Sequence, residues 1–148
     1  MVKDQIGNVL NCSEDVLLHG VNCRGAFGAG VAAQIAAKYP EVREAYLKAF
    51  RAGYWTPGKV QYVRVGGQPQ IIVNAASQDR YGRAGCFTVY PAIREIFTTV
   101  VGRCQDHNLT LACPMIGAGL AGGDWDTIRE IIDEVSQNFV VNVYQLGR

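Results

Sequence analysis

Val16-Leu17-Leu18-His19-Gly20-Val21-Asn22 runs directly into Cys23-Arg24-Gly25-Ala26-Phe27-Gly28-Ala29-Gly30 and then into Val31–Lys38. The first stretch is a short apolar run that ends in glycine and polar residues, the pattern of a buried strand. The second is a glycine-rich loop. The third, VAAQIAAK, is alanine-rich and predicts a helix. The same succession returns downstream: Leu109–Met115 reads as a strand, Ile116–Asp124 as a second glycine loop and Trp125–Ser136 as a helix. Strands that alternate with helices in this way predict an α/β layer fold with a mostly parallel central sheet.

Working outward from these two units fills in the rest. Tyr39-Pro40 breaks the first helix, and Glu41–Arg51 restarts one with Val42, Ala45, Tyr46 and Ala49 on a single stripe. Gly53 suits its stop. Lys59–Val65 alternates apolar and polar residues as a half-buried strand does, Gly66-Gly67 signals a hairpin, and Gln70–Ala76 reads as a more buried partner strand. That hairpin makes the sheet mixed. Ser77–Phe87 is a polar loop long enough to carry function. Val89–Gln105 has helical periodicity through Ile93, Ile96, Phe97, Val100 and Val101, and Phe139–Leu146 predicts a final strand. No repeat, linker or low-complexity segment divides the chain, so residues 1–148 form one predicted domain.

Composition narrows the function classes. A hydrophobic share of 49% against 18% charged residues supplies a core and argues against disorder. Fourteen Lys and Arg against 13 Asp and Glu leave a net charge of +1, which offers no basic footprint for nucleic acid, so nucleic acid is not an expected partner. No apolar stretch approaches the roughly 20 residues of a membrane helix. Met1-Val2-Lys3-Asp4-Gln5 lacks the apolar region of a secretory signal, so the expected location is cytoplasmic and no membrane partner is expected. The 5 cysteines (Cys12, Cys23, Cys86, Cys104, Cys113) contain no C-x-x-C pair, and His19 and His107 lie far apart, so neither a zinc cage nor a disulfide framework is expected. Neither metal nor other cofactor is expected. A monomer is.

The glycine loops carry the chemistry. In an open α/β sheet, ligands bind beyond the carboxyl ends of the strands. A glycine-rich turn there brings backbone N–H groups close to an anion, and the following helix N-terminus favours negative charge. Gly28-Ala29-Gly30 and Gly117–Gly123 both meet this description, which predicts a ligand with more than one phosphate, or a diphosphate gripped from two sides. Gly117-Ala118-Gly119-Leu120-Ala121-Gly122 also matches G-x-G-x-x-G, but the dinucleotide fold wants an acid about 20 residues on. Asn142 occupies that region and only one strand follows, so the dehydrogenase reading fails. His19, close to the first loop, is a candidate for proton transfer. Asn22 suits either hydrogen bonding to ligand hydroxyls or a turn. Cys23 has no visible base to activate it. Asp124 is expected as a helix N-cap, and Trp125 as core.

These residues resemble a known family. Leu17–Ala32, with Gln34 and Lys38-Tyr39-Pro40, is similar to the first half of a macro domain, nearest the branch of stand-alone ADP-ribose 1''-phosphate phosphatases. Pro114–Trp125 resembles the family's second ligand loop and the tryptophan after it, and Val143-Tyr144-Gln145-Leu146 is similar to its ending. The resemblance implies a three-layer α/β/α sandwich that binds ADP-ribose in a cleft above the sheet. It places Gly7, Asn8 and Val9 near the adenine, and Gly20, Val21 and Asn22 along the distal ribose. Phe27, Gly28, Ala29, Gly30, Val31 and Ala32 then lie on one side of the diphosphate. Ile116, Gly117, Ala118, Gly119, Leu120, Ala121 and Gly122 lie on the other.

His19 matches the histidine implicated in catalysis in that branch. Asn8 stands where many members have Asp. Branches that remove ADP-ribose from protein or DNA use a lysine after the central strand, where this chain has Ser77-Gln78, and Ala121 stands where one of them has an acid. The expectation is therefore a metal-independent phosphatase converting ADP-ribose 1''-phosphate to ADP-ribose and phosphate, its partner an ADP-ribose-type small molecule. The alternatives are a binding module and a hydrolase acting on ADP-ribosylated protein or nucleic acid. Asp79, Tyr81 and Arg83 are open candidates for a second catalytic group.

Overall fold

A computed structural model describes residues 1–82 and 84–147, with Leu120 as backbone only. The elements run β1 (Val2–Ile6), β2 (Val16–Val21), α1 (Gly30–Lys38), α2 (Pro40–Arg51), β3 (Val60–Arg64), β4 (Ile71–Ala76), α3 (Tyr90–Asp106), β5 (Leu111–Pro114), α4 (Trp125–Ser136) and β6 (Val141–Gln145). Short 3-10 turns at Val9–Asn11 and Gly119–Ala121 follow β1 and β5. The sheet order is β1-β6-β5-β2-β4-β3, with β3 alone antiparallel among these strands.

The central strands are apolar on both faces because helices cover both. On one face Val16, Leu18, Val73 and Leu111 pack against Ile93, Ile96, Phe97 and Val100 of α3 and Ile128 and Ile132 of α4. On the other, Leu17, Val21, Ile72 and Ala76 pack against Ile35 of α1 and Val42 and Tyr46 of α2. This is the expected three-layer α/β/α sandwich with a mixed, mostly parallel sheet. Asp124 caps α4 as predicted, its Oδ2 accepting from the Thr127 amide at 3.2 Å and the Thr127 hydroxyl at 2.6 Å.

The strand that sequence reading missed is β1. It lies at the sheet edge beside β6, and only Val2 of its five residues is buried. Ile6 is 70% exposed, so the period-2 signal that betrays a strand is missing. The hairpin at Gly66-Gly67 joins β3 to β4 as read, with both glycines at positive φ (+73° and +84°).

Candidate functional site

The carboxyl ends of β2, β4, β5 and β6 meet at one rim of the sheet, where a cleft of about 540 Å³ opens. Both glycine loops line it: residues 26–32 on one side, residues 114–119 with Ala121 on the other. His19, Gly20 and Ser77 also face it, as do Tyr81 and residues 144–146.

The first wall is built around Asn22. Its Oδ1 accepts from the amides of Arg24 (2.9 Å) and Ala26 (3.3 Å), and its Nδ2 donates to the Ala26 carbonyl (2.8 Å). Its carboxamide therefore shapes the loop, the turn role of the two that the sequence left open. The buried Tyr46 hydroxyl completes the wall by donating to the Asn22 carbonyl (2.7 Å) and accepting from the Gly25 amide (3.0 Å). Tyr46→Phe is expected to cost about 1–3 kcal/mol, because it strips the partner from buried backbone groups. Chemical denaturation would measure the loss.

Beyond that loop, α1 begins at Gly30 with Ala29 as its N-cap, and no side chain caps it. The first intrahelical bond near this end is Ala33 N–H to Ala29 C=O, so the amides of residues 30–32 have no helical acceptor. These residues line the cleft. An uncapped helix start carries partial positive charge and free donors, which suits an anion.

The second wall needs glycine for space. A Cβ on Gly122 (φ +72°) would lie 2.1 Å from the Gly85 carbonyl oxygen, and one on Gly117 (φ +81°) would lie 2.9 Å from Ile128 Cδ1. The loop after β4 is fastened to this wall. Phe87 N–H donates to the Ala121 carbonyl at 2.7 Å, and the Thr88 hydroxyl donates to the Gly117 carbonyl at 2.5 Å. The same loop is tied to the first wall by Cys23 N–H to Asp79 C=O (2.9 Å) and an exposed Arg24–Asp79 ion pair (2.9 Å).

His19 is 1% exposed. Its ring meets the edge of Phe27 with centroids 5.4 Å apart, and Nε2 lies 2.5 Å from Asn74 Oδ1. Among the described residues Nδ1 has no partner, and neither does the buried Ser77 hydroxyl. Burial pulls the His19 pKa down to about 4, opposed by the bond to Asn74. The imidazole is thus neutral at pH 7. Cys23 is the reverse case: burial first, then the Asp79 charge, push its thiol up to about 11, so it is no ready nucleophile. Among the described lining residues none carries a charged side chain, so the donors available to a diphosphate are main-chain amides.

The structure brings together His19, Gly20, Val21, Asn22, residues 27–32, residues 116–119 and Ala121. It does not bring Gly7, Asn8 or Val9 into the wall. Gly7 N–H donates to the carbonyl of Gln145, which does line the cleft, Asn8 Oδ1 caps the Leu10 amide, and Val9 is buried in the core. Gly122 is likewise outside the lining, pressed against Gly85. Asp79 is engaged with Arg24, exposed Tyr81 lines the cleft, and Arg83 lies outside the described residues. At the position expected of a lysine, Gln78 donates its amide to the Arg80 carbonyl at 2.6 Å.

The sequence pattern of the Macro domain family matches residues 18–132. The chain belongs to the macro domain family. A DNA ADP-ribosyl glycohydrolase of Mycobacterium tuberculosis is 31% identical over 140 residues, covering 88% of this chain and 37% of that protein. One of Thermus aquaticus is 28% identical over 137 residues, covering 90% of this chain and 37% of that protein. The chain thus spans little more than a third of these curated relatives. Among solved structures, the macrodomain of Mycobacterium tuberculosis DarG superposes with a TM-score of 0.87 at 27% identity, covering 99% of both chains. That of Thermus aquaticus DarG gives 0.84 at 28%, covering 98% of both.

Sequence reasoning missed two parts of the site in this macro domain. Residues 144–146 form a rim because they end β6 at the ligand edge; the strand-end rule that located the glycine loops applied to them equally. Asn74 was hidden in the apolar run of β4, and its contact with His19 depends on strand register. The buried histidine also gives the macro domain a pH signature. Below the ordinary pKa of 6.5 the unfolded chain binds a proton that native His19 refuses until about pH 4. Stability therefore falls as pH drops from 6.5 to 4, by about 3 kcal/mol from this group. The difference between urea midpoints of wild type and His19→Gln, followed from pH 7 to 4.5, isolates that contribution.

No helix among the described residues is long and apolar enough to cross a membrane.

Proposed function

We propose that this macro domain hydrolyses the phosphate monoester of ADP-ribose 1''-phosphate, releasing ADP-ribose and inorganic phosphate. The observation that carries the reading is the pairing of two glycine walls, free of charged side chains among the described residues, with a neutral imidazole facing the same cleft. The walls hold the diphosphate through main-chain amides, and the distal ribose then runs toward His19. Water attacks phosphorus and gives its proton to His19 Nδ1. The phosphorus–oxygen bond to C1'' breaks with its electron pair on the sugar oxygen, which takes up the proton. Amides aimed at the phosphoryl oxygens stabilise the charge that develops there, often the largest single contribution. Gln78 offers no amine at the place where ADP-ribose-removing branches carry lysine, which favours water as the attacking group.

A second reading rests on the relatives. The curated proteins at 28–31% identity are named as DNA ADP-ribosyl glycohydrolases, which makes ADP-ribosylated DNA the competing substrate. Three assays separate the readings: calorimetric titration with ADP-ribose, phosphate release from ADP-ribose 1''-phosphate, and ADP-ribose release from modified DNA. Phosphate release supports the proposal. Release from DNA alone replaces it with the glycohydrolase reading, and binding without either reaction leaves a recognition module. Absence of ADP-ribose binding overturns all three.

A further inference from the structure

Three polar side chains lie in one row across the sheet. Strand register pairs Gln61 of β3 with Asn74 of β4, and Asn74 with His19 of β2. Asn74 and His19 are buried, and the row lies against α2. Each amide orientation is forced by a backbone carbonyl, which only accepts. Gln61 Nε2 donates to the Ala45 carbonyl (3.0 Å), so its Oε1 is the atom that faces Asn74. Asn74 Nδ2 donates to that Oε1 (3.0 Å) and to the Val42 carbonyl (3.3 Å), so its Oδ1 is the atom that faces His19. An amide oxygen beside a ring nitrogen requires that nitrogen to carry the proton. Neutral His19 must then be N–H at Nε2 and bare at Nδ1, the atom without a partner among the described residues.

We propose that Gln61 and Asn74 are positioning residues that lock His19 in the Nε2–H tautomer, so that Nδ1 meets the ligand only as an acceptor from a hydroxyl or water. A bare ring nitrogen and a phosphate oxygen are both acceptors, so neutral His19 does not clamp the phosphoryl group; its partner is a hydroxyl of the distal sugar or the attacking water. The inference rests on the phosphatase reading for its kinetic consequences, but not for the tautomer itself.

The test is nitrogen-15 NMR of the imidazole in the intact, ligand-free chain at pH 7. A protonated Nε2 and a bare Nδ1 are expected; a protonated Nδ1, or an even mixture, overturns the proposal whatever the enzyme activity. Kinetics give the second readout. Asn74→Leu is expected to lower kcat by about 10–100-fold with KM little changed, the range for groups that orient a functional imidazole from behind. The acid limb of its pH profile moves down, because the bond that raises the His19 pKa is gone. Asn74→Asp moves that limb up, since a carboxylate there favours the imidazolium. A purely structural Asn74 would not move the limb in opposite directions. If the tautomer is as stated but no phosphate is released from ADP-ribose 1''-phosphate, the reaction assignment falls and the positioning role stands.

Discussion

Gly28→Glu is expected to weaken ADP-ribose binding by about 10³-fold or more while leaving folding stability within about 0.5 kcal/mol of wild type. Gly28 lines the cleft, and a Cβ built on it meets nothing within 4 Å. Its φ lies outside the left-handed region, so the backbone tolerates a side chain. A glutamate there occupies the slot assigned to the diphosphate and adds a like charge. At about 4 Å and an effective dielectric near 20, two unit charges repel by about 4 kcal/mol, which is the origin of the thousandfold figure. Calorimetric titration and a thermal melt together read the outcome. A variant that folds normally and binds ADP-ribose as wild type does would remove the diphosphate from between the walls. Gly28→Ala is the milder companion and should bind within a few-fold of wild type.

His19→Ala should lower turnover of ADP-ribose 1''-phosphate by about 10²–10⁴-fold, the range for a single positioned acid–base group, with ADP-ribose affinity nearly intact. The split follows from the proposed geometry: the walls are assigned to the diphosphate, whereas His19 lies among the buried strand residues, its Nδ1 without a partner among the described residues. The substitution also leaves Asn74 Oδ1 without its partner, at a cost of about 1–3 kcal/mol. Kinetics should therefore be measured on protein shown to be folded. Unchanged turnover would mean that the imidazole has no part in the reaction.

How far the sequence disclosed this molecule depends on how local the information was. The α4 boundaries, Trp125 to Ser136, follow from a capped start and an apolar stripe a few residues wide, and the structure reproduces them. The convergence of the two glycine loops was legible because parallel strands share one carboxyl edge. The edge strand Val2–Ile6 was not, because one buried side chain gives no period. Asn22 was ambiguous for a different reason: a strand-end asparagine serves a loop or a ligand equally well, and only the positions of the Arg24 and Ala26 amides decide. The Gln61–Asn74–His19 row required the pairing of strands 13 and 55 residues apart, which local patterns do not specify.

The main-chain character of the two walls has a kinetic corollary. Amide dipoles attract an anion strongly in contact and weakly at a distance, and a net charge of +1 adds little long-range attraction to draw one in. With a diphosphate held as proposed, encounter is left to ordinary diffusion, and discrimination falls to fit at close range. Such a site answers to the shape of what enters it and is little disturbed by the ionic strength around it.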